Sequence, residues 1–93
     1  MLPGIERFLD EEGKLKQLPR KKAVRDIAYA YLAEKFEFDR DYTEHEVNAI
    51  LASWHTFGDH ARLRRDLIDE GWMLRTRDGS RYWKNPEKQQ EET

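Results

Sequence analysis

The 93-residue sequence lacks cysteine altogether. Disulfide bridges and thiolate metal sites are therefore excluded. No apolar run approaches the roughly 20 residues needed to span a bilayer, and no hydrophobic signal-peptide region follows the N-terminus. From these absences we expect a cytoplasmic protein that has no membrane partner.

Patterns typical of enzymes are missing as well. His45-Glu46 matches the start of the zinc-protease His-Glu-x-x-His helix, but the closing position is Ala49. The sequence shows no recognisable Ser-His-Asp set and no glycine-rich phosphate loop. Three groups near a predicted turn are too loosely spaced to indicate a metal site: His55, Asp59 and His60. We therefore expect no enzyme activity, no metal and no cofactor.

Charge is abundant but nearly balanced. Charged residues make up 39% of the chain, hydrophobic residues 38%, and the net charge is −2. A domain whose main task is to bind phosphate backbones is usually basic, so this balance argues mildly against that task. The length fits a single domain, which we assign to residues 1–85. The polar tail 86–93, rich in Gln and Glu, is predicted to be disordered.

In the N-terminal half, apolar spacing predicts two helices. Ile5, Phe8 and Leu9 follow the i, i+3, i+4 pattern of a short first helix. Residues 14–18 are expected to be extended, with Leu15 pointing inward. A long amphipathic helix is then predicted from residue 20 to about residue 36.

The C-terminal half contains the signals of a helix-turn-helix. Thr43-x-x-Glu46 is a capping box that opens a helix, and an apolar stripe runs from there to Trp54. After a short turn, Asp59 is the N-cap candidate of the next helix. Gly71 can close that helix in the left-handed conformation.

A β-hairpin is predicted directly after this helix. Asp78-Gly79 lies between two β-prone runs, 72–77 and 80–84, and favours a two-residue turn because both residues tolerate positive φ. Such a turn pairs Arg77 with Ser80, Arg75 with Tyr82, and Leu74 with Trp83. Extended residues around Tyr42 are expected to add a third strand.

Alternation along the hairpin assigns its two faces. We expect the core to receive Trp72, Leu74 and Trp83. The opposite, outward face would then carry Met73, Arg75, Arg77 and Tyr82.

Together these elements predict an α+β, mainly helical fold. The expected architecture is a winged helix-turn-helix with an N-terminal helical extension and a C-terminal β-hairpin wing.

Six exposed cations are the candidate nucleic-acid-binding residues: Arg62 and Arg65 on the last helix, and Arg75, Arg77, Arg81 and Lys84 on the wing. The helix pair has a second interpretation, because Asp66 and Asp69 follow four residues on and would form weak surface ion pairs. The wing cations could instead protect exposed strands from aggregation.

Two further basic features stay open. Arg64 falls in the middle of the apolar face of its helix, so it is either tied to a carboxylate such as Glu46 or to backbone carbonyls, or it binds a ligand. Arg20-Lys21-Lys22 with Arg25 opens the long helix, where cations oppose the helix macrodipole. That cluster either binds phosphate or is a solvated first turn.

Several segments together resemble the bacterial family catalogued as domain of unknown function 2087. They are Lys14-Leu15-Lys16-x-Leu18-Pro19, Tyr42–Leu51, Asp59 with Leu63–Leu67, and Gly79–Trp83, so the similarity runs from about Gly13 to Lys84. The resemblance implies a winged-helix-like fold, and members that occur alone or joined behind a helix-turn-helix regulator domain. It implies no activity, cofactor or catalytic residue.

Two functions are therefore expected from the sequence. The first is nucleic-acid binding or transcriptional regulation through the arginine-rich helix and wing, with DNA as the partner and homodimerisation through the segment around Phe8 as an option. The second is a protein-interaction or regulatory module on the same scaffold without DNA binding. A continuous positive face would favour the first, whereas scattered and neutralised charge would favour the second.

Overall fold

The computed structural model describes residues 4–88 and has an α+β architecture with a mainly helical first part. A single 3₁₀ turn, Glu6–Phe8, precedes the helices and strands. These are α1 (Lys22–Ala33), β1 (Asp41–Tyr42), α2 (Glu44–Ala52), α3 (His60–Asp69), β2 (Met73–Arg75) and β3 (Tyr82–Lys84). Within this range the strands form one antiparallel sheet in the order β1-β3-β2. The expected α+β class and the third strand at Tyr42 are confirmed.

The N-terminal segment is more extended than the sequence suggested. Its predicted first helix is a 3₁₀ turn of three residues, because the chain must double back so that Leu9 and Leu15 can pair. The Lys16 amide donates to the Phe8 carbonyl at 2.7 Å and secures this return. Leu15 is fully buried and also bridges to His55, so its predicted inward position is confirmed.

The two central helices begin near the predicted positions. The capping box of α2 is formed in both directions, since the Thr43 amide donates to Glu46 Oε1 at 2.8 Å and the Glu46 amide donates to Thr43 Oγ1 at 3.1 Å. Asp59 is the N-cap residue of α3, but its side chain makes no capping hydrogen bond. Instead its backbone N–H donates to His55 Nε2 at 2.9 Å.

The C-terminus of α3 is closed by Gly71, as predicted. Gly71 has φ +84°, and its amide donates to the Ile68 carbonyl at 3.0 Å. The Trp72 amide donates to the Leu67 carbonyl at 2.9 Å. These two bonds form a Schellman motif, which satisfies carbonyls that a helix end would otherwise leave free.

The hairpin register is confirmed, but the turn is wider than predicted. Leu74 pairs with Trp83 and Arg75 with Tyr82. Pairing ends where the Thr76 amide donates to the Arg81 carbonyl at 2.9 Å, so residues 77–80 form a four-residue loop and Arg77 does not pair with Ser80. Within the loop 77–80 only Gly79 takes positive φ. The Gly79 amide donates back to the Thr76 carbonyl, and the turn closed by this bond leaves Asp78 at negative φ.

The predicted faces of the hairpin were wrong for Met73, Leu74 and Tyr82. The buried position of Trp72 and the exposed positions of Arg75 and Arg77 are as predicted. Met73 and Tyr82 are buried, at 1% and 4% exposure, whereas Leu74 is 37% exposed and Trp83 only partly buried. Trp72 is buried because it follows the helix cap, where an apolar residue commonly packs back on the helix. The strand alternation begins one residue later, at Met73, and this shift exchanges the faces.

The C-terminal segment packs back on the end of α3. Residues 86–87 form a turn, and Lys88 donates from Nζ to the Glu70 carbonyl at 2.7 Å while covering the Trp72 ring at 4.9 Å. The rest of the predicted disordered tail, 89–93, lies outside the described residues. Within residues 4–88 no helix has the length and apolar character to cross a bilayer.

Candidate functional site

A groove between α3 and the β2–β3 ribbon brings together Arg64 and two of the six candidate cations, Arg65 and Arg75. Its volume is about 390 Å³. Helix α3 forms one wall, the ribbon loop forms the other, and the start of α2 closes one end. The lining residues are Glu44, Ala61, Arg64, Arg65, Ile68, Asp69, Arg75, Asp78, Gly79 and Tyr82.

The groove floor is a polar network that joins three elements. Arg64 of α3 donates from its guanidinium to Asn48 Oδ1 and lies 4.0 Å from Glu44 Oε2, both on α2. The hydroxyl of Tyr82 on β3 donates to Glu44 Oε1 at 3.3 Å. Arg64 is therefore largely structural, since only 21% of its side chain is exposed and its hydrogen bond is already made. The partner is not Glu46, which is occupied by the capping box.

Sequence reasoning missed the contribution of Glu44 and Asn48. The two residues are four positions apart on α2, so they share one helix face, and that face is turned toward α3. A polar i, i+4 pair opposite a lone arginine in an apolar stripe was the available signal. The capping box drew attention to Glu46 instead.

The two helix arginines behave differently. Arg62 forms its predicted ion pair with Asp66 at 3.5 Å. Asp66 also accepts a hydrogen bond from the Tyr29 hydroxyl of α1, and burial together with this carboxylate raises the pKa of Tyr29. Arg62 thus lies beside α1 and outside the groove. Arg65 is exposed in the groove and makes no ion pair with Asp69 or with any other described residue.

The ribbon loop contributes one cation and one carboxylate to the groove. Arg75 donates from Nη1 to the carbonyls of Thr76 and Arg77 at 3.1 and 3.0 Å, which folds its guanidinium back on the loop. The carboxylate of Asp78 accepts from the Ser80 amide at 3.0 Å and from the Thr76 hydroxyl at 2.9 Å. These donors lower the pKa of Asp78 to about 2, so the loop carries a fixed negative charge.

The remaining wing cations lie elsewhere. Arg81 faces β1 and pairs with Asp41 at 3.6 Å. Lys84 packs over the Phe38 ring at 4.1 Å and donates to the Phe36 carbonyl at 3.4 Å, and its partial burial lowers the pKa of its ammonium group. Arg77 is exposed in the loop, where its side chain has no hydrogen-bond or ion-pair partner among residues 4–88. The six predicted residues therefore do not form one continuous surface.

The charge of the groove is balanced. Three arginines and three carboxylates line it, with Ile68 and Ala61 as apolar contacts between them. A phosphate backbone would meet the arginines but would be repelled by the carboxylates. An extended segment with side chains of both signs would meet complementary charge on both walls.

The three groups that the sequence placed near the helix turn do not combine into a metal site. His55 is buried, and its two ring nitrogens are engaged by the Leu51 carbonyl at 2.6 Å and the Asp59 amide at 2.9 Å. Among residues 4–88, no group of three His, Asp or Glu side chains is placed to hold a metal ion.

Comparison with known protein families finds one match for this sequence. A family model described as an uncharacterized protein conserved in bacteria (DUF2087) matches residues 14–84. No curated protein and no solved structure matches the chain. The family match begins one residue before the buried Leu15 and ends at the last residue of β3, and it therefore contains the sheet, the three helices and the whole groove. Because it covers well over half of the sequence, the chain belongs to the DUF2087 family of bacterial proteins.

Proposed function

We propose that the chain is a winged-helix regulatory module that docks a protein segment in the groove between α3 and the β2–β3 ribbon. The element order α1-β1-α2-α3-β2-β3 and the sheet order β1-β3-β2 support the winged-helix assignment. In this reading α2 and α3 are the helix-turn-helix, and the ribbon is the wing.

The observation that carries the proposal is the balanced charge of the groove. Arg65 and Arg75 are placed to meet acidic side chains of a partner, and Asp69 and Asp78 to meet basic ones. Arg62 and Arg81 already have carboxylate partners, which reduces the positive potential available to a nucleic acid. Charge complementarity of this mixed kind gives specificity for one peptide more than strong affinity for any polyanion.

The first test is binding by charge-swapped variants. A partner captured by the wild-type protein should lose affinity when Arg65→Glu reverses the free cation of the groove, and again when Asp69→Arg reverses its carboxylate. The matched control is Arg40→Glu, which changes an exposed arginine paired with Glu37 at 2.9 Å, away from the groove. A partner that binds all four proteins equally would contradict docking in the groove.

Nucleic acid is the second candidate, and one observation favours it. Arg65 and Arg77 are exposed and have no ion-pair partner in the described part of the chain, and Arg75 lines the same groove as Arg65. Ion pairs at the surface are weak, so Arg62 and Arg81 could also exchange carboxylates for phosphates.

Salt-titrated binding to a mixed-sequence DNA duplex separates the two functions. If the protein binds through three or more phosphates, the log–log slope should be about −2.7 or steeper and should flatten by about 0.9 for each contact removed by Arg65→Glu or Arg77→Glu. A slope near zero that neither substitution changes would support protein docking. If Arg65→Glu and Arg77→Glu both lost DNA binding while Arg40→Glu kept it, protein docking would be overturned as the function of the groove.

A further inference from the structure

A second cleft lies on the N-terminal side of the molecule, away from the groove. Its volume is about 600 Å³, within the range of about 300–1,000 Å³ typical of small-molecule sites. The cleft is bordered by the 3₁₀ turn, the extended return segment and the start of α1. Its lining residues are Arg7, Phe8, Lys16, Gln17, Pro19, Arg20, Lys21 and Val24.

The charge of this cleft has one sign. Four of its eight lining residues are cations, and none is a carboxylate. Among residues 4–88 none of these four cations forms an ion pair, whereas the neighbouring Lys14 and Lys22 each have a carboxylate partner, at 3.8 and 3.0 Å. Such a concentration of unneutralised cations is unusual in a chain of net charge −2. Two of the four cations, Arg20 and Lys21, lie at the start of α1, where cations weaken the helix, so helix stability does not account for them.

The cleft also has an apolar floor and fixed walls. Three apolar residues form this floor: Phe8 and Val24 are partly buried, and Pro19 is fully buried. The Lys16 amide bonded to the Phe8 carbonyl at 2.7 Å holds one wall, and Arg25 Nη1 bonded to the Arg20 carbonyl at 3.0 Å holds the entry to α1. Cations around an apolar floor match a molecule that is charged at one end and apolar at the other.

We infer that this cleft binds a small organic anion in which a carboxylate or phosphate head group is joined to an apolar body. The head group lies among Arg20, Lys21 and Lys16, and the body lies on Phe8 and Val24. This site is independent of the proposed docking groove, with which it shares no residue.

Amide chemical shifts measured during titration with decanoate, kept below its micelle concentration, test the site. The expected shifts are confined to the cleft residues. Decyltrimethylammonium, with the same body and opposite charge, and inorganic phosphate, without a body, should each bind far more weakly. Equal binding of the cationic probe would reduce the cleft to an apolar patch, and equal binding of phosphate would reduce it to an ion site. Either result overturns the inference.

The matched variants are Arg20→Gln with Lys21→Gln, compared with Lys22→Gln. Removing two cleft cations should weaken decanoate binding about tenfold or more, because each cation close to the head group contributes a several-fold effect. Lys22 is the next residue, is exposed and is paired with Asp26, so its substitution should leave affinity unchanged. Equal losses in both proteins, with their thermal melting curves unchanged, would overturn the inference.

Two other occupants are distinguished by the same measurements. Shifts of the cleft amides on dilution of the ligand-free protein would assign the surface to a contact between two copies of the chain. Binding to phosphatidylglycerol vesicles without binding of monomeric decanoate would assign it to a lipid surface. Both outcomes would overturn the assignment to a small organic anion.

Discussion

At the residue scale, the ribbon loop depends on one carboxylate. Asp78 accepts hydrogen bonds from the Ser80 amide and the Thr76 hydroxyl, and these donors lower its pKa from 3.8 to about 2. Since the folded-state pKa is below the unfolded value, the contribution to stability is present above about pH 4 and is lost as pH falls through 2.

We therefore predict that the Asp78 carboxyl titrates with a midpoint near 2 when followed by its side-chain carbon chemical shift. The Ser80 amide proton should titrate with the same midpoint, because it donates to that carboxylate. A midpoint near 3.8 for Asp78 would mean that the loop is not held in this way.

The buried His55 is expected to stabilise the turn between α2 and α3. Its Nδ1 contacts the Leu51 carbonyl at 2.6 Å, and its Nε2 accepts from the Asp59 amide at 2.9 Å. His55→Ala removes both bonds and the packing of a buried ring. It leaves the partly buried Asp59 amide without its acceptor, whereas the Leu51 carbonyl keeps the Trp54 amide as a donor. We therefore expect a loss of about 2–4 kcal/mol in the free energy of unfolding. Urea unfolding measures this loss. His45→Ala, at an exposed position of α2, should change stability little. Equal losses in the two variants would contradict the structural role of His55.

At the element scale, the ends of α3 illustrate what the sequence could predict. Gly71 was predicted as the helix stop because glycine alone takes positive φ without cost, and that reasoning is local. Asp59 was predicted as the N-cap residue by the same kind of local rule, and its position is confirmed, but its side chain makes no capping hydrogen bond. His55, four residues earlier, already binds the Asp59 amide and fixes the chain in another conformation. The local rule gave the position of the helix start but not the backbone conformation of the cap residue, which has φ −131° and ψ 49°.

The hairpin shows a second limit of sequence reasoning. Counting from Asp78-Gly79 gave the correct register, because register depends on the sum of paired positions and a four-residue loop keeps the same sum as a two-residue turn. The faces of Met73, Leu74 and Tyr82 were wrong, because the phase of the alternation was taken from Trp72, which belongs to the helix cap. The same difficulty applies to the site. Whether Arg81 pairs with Asp41 or Arg75 folds on its own loop depends on tertiary placement that spacing does not encode.

Substitution of Gly71 tests the importance of the left-handed stop at the end of α3. An added Cβ would meet only Lys88 Cδ, at 3.9 Å, which is ordinary contact, so the cost of Gly71→Ala comes from the backbone at φ +84°. We expect a loss of about 1–2 kcal/mol for alanine in thermal or urea unfolding. Gly71→Asn should lose less, since asparagine tolerates the left-handed region. If the two variants were equally destabilised, the cost would have to be steric.

At the scale of the whole molecule, the N-terminal segment belongs to the same core as the rest of the fold. Ile5 is fully buried, although it lies outside residues 14–84, where the family model matches. The turn and return segment that follow it also form the walls of the basic cleft. The segment is therefore part of the domain and of a candidate site, and we expect it to unfold together with the helices and the sheet.

Ile5→Ala tests this unity. Because the side chain is fully buried, the substitution should lower the free energy of unfolding by about 2–5 kcal/mol and leave a single cooperative transition. Leu74→Ala, at a position that is 37% exposed, is the matched control and should cost much less. Tryptophan fluorescence reports on Trp54, Trp72 and Trp83, and far-ultraviolet circular dichroism reports on the helices. Coincident transitions by the two probes would therefore show one cooperative unit. If Ile5→Ala left the midpoint unchanged, or gave two separate transitions, the N-terminal segment would be an independent attachment. The walls of the basic cleft would then not be held by the core.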